Sequence, residues 1–479
     1  MLAGIWIACQ ILGLAGIALG LYQVWLVLPP AVRSTRSVAR SDRRHRLAVL
    51  VFARDEALVI GDLLDSLAAQ NYPRELFDVY VTADNCTDST AAIARRHGAV
   101  VWERHDLANV GKGFALRWFF ERFTPKHGSD YDACVVFDAD NLAEPGFLKA
   151  MNQRLNQGDD LAVGYRMGKN PTSSWIAGVT TLFWLLQTRF AYRPRARRGI
   201  SCLSVGGTGF MFRMSALDHG QWNTSSVAED IEFTLETIAR GGHVGLAADA
   251  VFYDEQPLTL RASLRQRYRW TVGALQSNLI AWPKLKKSKA VHGLARFDAL
   301  VSCSALIIAA VSPMIGLLGG VAGLLWWRNW LTAGWLGLAM FLLAYAITAA
   351  IGWLALYLEH ETWPGAWKAV LAFPLFMITW VALYVIVLFH RSTVWHAVPH
   401  VDARNIEQLQ QRRSPQALSA EPPQLTDDPQ RAPLRPAVPA LNAVSAMPPV
   451  AARPTTPRAT AMPAWATAQS GRSLRQPLH

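Results

Sequence analysis

Four apolar runs bracket one polar block, and that arrangement limits the chain to a membrane protein with a single large water-facing part. The runs lie near 2–28, 299–327, 331–358 and 370–389. Each is long enough for a helix to cross about 30 Å of hydrocarbon, which takes about 20 residues. The first stops at Pro29-Pro30, lacks a basic leader and is too long for a signal-peptide core, so 1–29 reads as an uncleaved anchor. Arg33, Arg36, Arg40, Arg43, Arg44 and Arg46 follow it, and basic residues beside a span mark the cytoplasmic side. The expected organisation is an anchor (1–29), a basic linker (30–45), a cytoplasmic domain (46–285), C-terminal spans (296–391), a polar juxtamembrane segment (392–413) and a tail (414–479). The tail holds half of the 26 prolines and no apolar period, so it reads as disordered.

Charge and cysteine content remove other classes. The net charge of +12 comes from basic residues crowded beside the spans, which suits a bilayer and shows no nucleic-acid motif. Five cysteines without CxxC spacing exclude a disulfide framework and fit a reduced compartment. Within the block, Ser174–Tyr192 is almost apolar enough to span, but a crossing there would separate the acidic motifs on either side of it. It reads as an interfacial or core helix, with Arg193, Arg195, Arg197 and Arg198 suited to lipid phosphates. Glu359 and Glu361 place their loop on the outer side, and Pro313 is a candidate break into a re-entrant pair.

The block itself reads as α/β, with a mostly parallel sheet. Strand-like runs at Leu47–Ala53, Phe77–Thr82, Val100–Trp102 and Ala133–Phe137 alternate with helical segments at about Glu56–Gln70, Asp88–His97 and Gly113–Phe123. Ligands in such sheets sit at the carboxyl ends of strands. The second strand runs into Asp84 and the fourth into Asp138-Ala139-Asp140, so acidic groups gather at the ligand edge. Two carboxylates two residues apart can serve a ribose and a hard divalent cation, although acids after strands also form turns and caps. Gly111-Lys112-Gly113 opens a helix where backbone N–H groups and a lysine suit phosphate; it lacks the remaining P-loop residues. Ala228-Glu229-Asp230 opens another helix, where Asp230 could act as a general base or the acids could only offset the helix dipole. Gln266, Arg269 and Trp270 share one face of a basic helix from about Leu260, placed either to meet a diphosphate or to anchor a membrane edge.

In this order the motifs resemble those of the membrane-embedded family 2 glycosyltransferases, the group of cellulose, chitin, hyaluronan and poly-N-acetylglucosamine synthases. The resemblance covers about Arg46–Trp270 and the spans beyond. It implies a nucleotide-sugar-binding GT-A-like domain inserted between transmembrane helices. Asp84, Lys112, Asp138, Gln266, Arg269 and Trp270 would bind the nucleotide sugar, and Asp140 would bind Mg²⁺ or Mn²⁺. Gly207, Thr208 and Trp270 would line the acceptor, with Asp230 as base beside Glu229. Ala228 stands for the Thr of the TED motif, Asn85 for a second Asp, and no FxVTxK loop follows Trp270. The implied reaction is inverting transfer of a hexose or N-acetylhexosamine from a UDP-sugar to a carbohydrate or lipid acceptor. The product is then a β-linked poly- or oligosaccharide at the inner or plasma membrane, with accessory export subunits as partners because the spans are few. Glycolipid synthesis and a non-catalytic nucleotide-sensing scaffold are the competing readings.

Overall fold

The computed structural model describes residues 2–29, 42–327, 330–390 and 406–413. The expected linker (in large part) and the tail lie outside them. One eight-stranded sheet runs through the domain, with strands β1 (Leu47–Ala53), β2 (Phe77–Asp84), β3 (Val100–Arg104), β4 (Ala133–Asp138), β5 (Leu142–Ala143), β6 (Leu161–Gly168), β7 (Phe210–Arg213) and β8 (Val244–Asp254). Their order is β3-β2-β1-β4-β7-β6-β8-β5. Strands β3, β2, β1 and β4 are mutually parallel, with Leu47 opposite both Phe77 and Ala133. The short strand β7 runs antiparallel to β4 and β6, and β5 antiparallel to β8. The central strands of the parallel half, β1 (Leu47–Ala53) and β4 (Ala133–Asp138), are nearly continuous apolar runs because both faces are covered.

One face is covered by helices α2 (Ile60–Ala68), α3 (Thr90–Arg96) and α5 (Phe147–Asn156), and the other by α4 (Lys112–His127) and α8 (Glu229–Ala239). The helix expected from Glu56 begins only at Ile60. Asp55 sits at φ +56°, and the Glu56 and Ala57 N–H groups donate to Thr90 Oγ1 (2.8 Å) and Asp88 Oδ2 (3.0 Å), so this turn is tied to its neighbour before a helix can start.

Ser174–Tyr192 folds as α6 (Trp175–Leu186), capped by the Ser174 hydroxyl, and continues through one π turn into α7 (Arg193–Arg197). It packs Ile176, Val179 and Leu182 against Tyr165 and Met167 of the domain. Helix α9 (Leu260–Lys287), capped by Thr259, leads into α10 (Gly293–Trp327), which continues through Pro313 unbroken. Helices α11 (Trp330–Glu359), α12 (Ala366–Phe389) and α13 (Ile406–Arg413) follow. Among the described residues, Gly293–Ser312, Gly334–Glu359 and Ala366–Phe389 are long and apolar enough to cross a membrane. The N-terminal helix α1 (Leu2–Val27) packs against the start of α10.

Three arginines of the basic run after α6, Arg193, Arg195 and Arg198, are held by protein groups. Arg195 forms a bidentate pair with buried Asp298 (2.8 and 3.0 Å), which also accepts from Tyr22 Oη of α1 (2.7 Å). Arg198 donates to the last carbonyls of α1, on Trp25, Leu26 and Leu28, where cations offset the helix dipole. Arg193 holds Glu359 through two bonds (2.9 and 2.8 Å), and Arg189 lies 3.5 Å from the same carboxylate. The α11–α12 turn expected on the outer side therefore lies on the domain's side. Removing the carboxylate in Asp298→Ala leaves buried Arg195 unpaired, a loss of about 3–5 kcal/mol for such pairs. Thermal unfolding in detergent should show a lower midpoint, and an unchanged one would mean this junction adds no stability.

Candidate active site

The carboxyl ends of β2 and β4 and the starts of α4 and α8 converge on one cleft. At the end of β2, Asp84 is buried and accepts from Arg104 Nη1 (2.5 Å) and Asn85 Nδ2 (3.0 Å). Burial pushes its carboxyl up, against the pull of Arg104. Asn85 adopts φ +56°, a conformation Asn tolerates, and binds both the N–H (2.7 Å) and carbonyl (3.2 Å) of Asp106. Where the family pattern suggests a second acid, this chain thus has a bracket between two loops.

At the end of β4, Asp138 remains partly exposed while Asp140 is buried. Asn141 Nδ2 donates to Asp140 Oδ1 (3.1 Å) and to Asp254 Oδ1 (3.1 Å), and its carbonyl accepts from the Thr208 hydroxyl. The Thr208 hydroxyl also accepts from Asp138 N (2.8 Å). Thr208, expected against an acceptor, is instead buried and built into the floor beneath the DxD turn.

Lys112 ties the two halves of the cleft. It starts α4 behind Gly111, whose φ of +135° requires glycine. Its Nζ donates to the Asp138 carboxylate and to Gly207 O (2.7 Å). A Cβ on Gly207 would lie 3.8 Å from Asp230 Oδ2, so the lysine spans from the DxD turn to the start of α8. There Glu229 and Asp230 sit side by side, partly open to the cleft. Burial, then the Asp230 charge, pushes the Glu229 carboxyl up to about 7, opposed by Lys112 and Arg269. Burial also raises Asp230, against Lys112 and Arg166. Buried Glu232 holds the preceding loop through the N–H groups of Ser225 (3.0 Å) and Ser226 (2.6 Å).

The α9 residues reach this cleft through close packing. A Cβ at Gly273 would lie 2.5 Å from Ala228 Cβ and 2.6 Å from Ala228 N, so only glycine lets α9 approach the start of α8. Ala228 faces that helix contact. Arg269 feels Glu229 electrostatically. Trp270 stands edge-on to Trp184 of α6 (5.7 Å) and stacked with Trp380 of α12 (6.5 Å). Gln266 lies one turn earlier on α9.

Two residues escaped the sequence reading. Arg166, at the end of β6, stacks on Trp184 (4.0 Å), donates to Gly206 O and lies 3.6 Å from Asp254. Asn141 directly follows the DxD motif and could have been flagged as its hydrogen-bonding neighbour; Arg166 is carried by an ordinary strand and had no sequence signal. A separate group, Asp55, Cys86 and Asp88, has ligand-type atoms within 4.8 Å of one another. Its carboxylates bind Thr87 and Thr90 and shape the β1 and β2 turns.

Residues 45–273 match the family model described as glycosyltransferase like family 2. This segment is a family 2 glycosyltransferase domain. The chain is 26% identical over 270 residues to the Bacillus subtilis protein named probable glycosyltransferase YdaM, covering 53% of this chain and 61% of that one. It is 27% identical over 251 residues to the beta-monoglucosyldiacylglycerol synthase of Synechocystis, covering 50% and 49%. The chain therefore spans about half to three fifths of these relatives' length. A mannosyltransferase of Pyrobaculum calidifontis, solved with GDP-Man and Mn²⁺, superposes with a TM-score of 0.52 at 19% identity, over 81% of this chain and 99% of that one. The GT-A-like fold expected of the domain is thus established.

The Gly273 contact gives a test of the geometry. In Gly273→Ala the added methyl must push α8 and α9 apart at a cost of about 1–3 kcal/mol. A displacement near 1 Å can lower turnover about 100-fold. The double variant Gly273→Ala/Ala228→Gly should recover little of that loss in nucleotide release by folded protein, because the added methyl still meets the backbone N of residue 228 at 2.6 Å. Native turnover in Gly273→Ala would show that the contact does not set the cleft.

Proposed function

We propose that this chain is an inverting, metal-dependent glycosyltransferase that moves a hexose or N-acetylhexosamine from a UDP-sugar to an acceptor hydroxyl at the membrane, extending a β-linked poly- or oligosaccharide. The observation that carries the reading is the Lys112 bridge, which gathers the DxD turn and the Glu229-Asp230 pair around one cleft. The UDP-sugar donor rests on the family resemblance, and a cytoplasmic cleft follows from where such donors are made.

The residues suit a single displacement. Asp230, acting as the general base, takes the proton of the acceptor hydroxyl. The acceptor oxygen forms a bond to the anomeric carbon as the bond from that carbon to the diphosphate breaks on the opposite face, which inverts the configuration. Lys112 and Arg269 face the leaving diphosphate, each supplying positive charge where negative charge accumulates. Asp84 and Asp138 bind the nucleoside side, and Trp270 offers a flat face to the acceptor sugar. The buried Asp140 oxygens beside Asp138 fit a hard divalent cation. A bound Mg²⁺ or Mn²⁺ there would neutralise part of the diphosphate charge.

A second reading, glycosylation of a lipid, is favoured by the Trp270–Trp380 stack, because it sets the acceptor side of the cleft against an apolar helix. The relative from Synechocystis, named for a glucosylated diacylglycerol, points the same way.

Nucleoside diphosphate release by purified membranes across a panel of sugar nucleotides, with and without EDTA, tests the activity. EDTA-sensitive release from one UDP-sugar is expected, and product sizing separates polymer from glycolipid. Asp230→Asn should abolish transfer while leaving UDP binding largely intact; retained turnover would remove Asp230 from its role. A pH series tests Glu229. Raised to about 7, it gains a negative charge beside the diphosphate site as pH climbs from 6 to 8. UDP-sugar affinity should weaken over that range in the native chain and stay flat in Glu229→Gln. Equal slopes in both would exclude the assignment.

A further inference from the structure

Helix α12 is 24 residues long, with Lys368 as its one charged residue and otherwise almost wholly apolar, so length and composition alone read it as a span. At about 1.5 Å per residue it measures about 36 Å. A crossing helix of that length would leave the catalytic domain within its first turns and end on the far side of the bilayer.

The contacts of α12 do not permit this. Its approach is fixed by Glu359, held by Arg193 of the domain. In its first half Ala369 meets Gly178 of α6, and Phe376 packs near Phe183. In its middle Thr379 accepts from Arg267 Nη1 of α9 (2.7 Å), and the Arg267 guanidinium lies 4.0 Å from the Phe376 ring. Near its end Val387 packs with Val272 and Leu275. Just beyond it His390 O accepts from Tyr268 Oη (3.0 Å). Helix α9 itself packs along α8. Both ends of α12 and its middle therefore rest on the domain.

The chain beyond confirms the side. Ile406 and Leu409 of α13 are buried with Leu142, Tyr165 and Ile176 of the domain. The 391–405 stretch before them includes Arg391, His396, Asp402 and Arg404, too short and polar to recross about 30 Å of hydrocarbon.

We propose that α12 lies in the plane of the membrane on the catalytic side, that its outer face is a lipid-binding surface, and that α13 beyond it lies on that same side. That face carries Trp367, Leu371, Leu375, Ile378, Ile386 and Phe389, all exposed in the protein and continuous with the apolar surface of α11. An in-plane helix ordinarily gives water its polar face; here α6 and α9 cover that face, so no polar face is needed. The occupant is the acyl–headgroup boundary of the bilayer leaflet, because the neighbouring helices α10 and α11 are long and apolar enough to cross it. The proposal is independent of the reaction: it concerns topology, and catalytic failure would leave it standing.

The test uses the full chain with one epitope tag inserted at exposed Asp218-His219 of the domain and a second inserted directly after Arg413, at the end of α13. Digestion of right-side-out and inverted membrane vesicles should expose both tags in the same vesicle orientation. Exposure in opposite orientations would overturn the proposal. A spin label at Ile378 gives a second measurement by collision with oxygen and a water-soluble nickel chelate. A depth near the headgroup boundary is expected, whereas a label at the bilayer centre would overturn it.

Discussion

The arrangement hinges on how closely α9 can lie against the start of α8. Gly273 has room for no side chain because Ala228 occupies that space, and the contact brings the helix bearing Arg269 and Trp270 to the Glu229-Asp230 pair. The opposite side of α9 is held by Arg267, buried between Phe376 and Trp380 and bonded to Thr379. One helix therefore joins the acidic pair to the apolar helices. Among the described residues no carboxylate pairs with this guanidinium, and a buried charge is expensive in isolation; the Phe376 and Trp380 rings offset part of that cost.

Charge balance organises the rest of the cleft. Asp84, Asp138, Asp140, Glu229, Asp230 and Asp254 converge from β2, β4 and the turn after it, α8 and β8, and unlike charges interleave with them: Arg104 on Asp84, Lys112 on Asp138, Arg166 near Asp254. The backbone follows this logic, since Lys112 also fixes the Gly207 carbonyl and Arg166 fixes that of Gly206. The loop between α7 and β7 is thereby held beside the Glu229-Asp230 pair by two cations, without any regular element there.

Much of the domain was legible in the sequence because its signals are local. Buried parallel strands are continuous apolar runs, and β1 begins and ends where such a run does. The acids at the ends of β2 and β4 were legible for the same reason. The helix after β1 was expected too long, because the N–H groups of Glu56 and Ala57 are captured by Thr90 and Asp88, 34 and 31 residues away. The arginines after α6 looked like lipid contacts by composition. Their partners, Asp298, Glu359 and the end of α1, lie far along the chain.

The residue order by itself determined the polar block between apolar runs, the α/β alternation and the set of acids, lysine and aromatics available for chemistry. These follow from hydrophobic periodicity and from residue type, which act over a few positions. Only the tertiary structure decided that Thr208 supports the DxD turn, that Arg166 and Asn141 belong to the cleft, and that the acidic turn after α11 faces the domain. Each of those depends on a partner between 40 and 170 residues distant, and no local pattern encodes where a folded chain will bring such partners together.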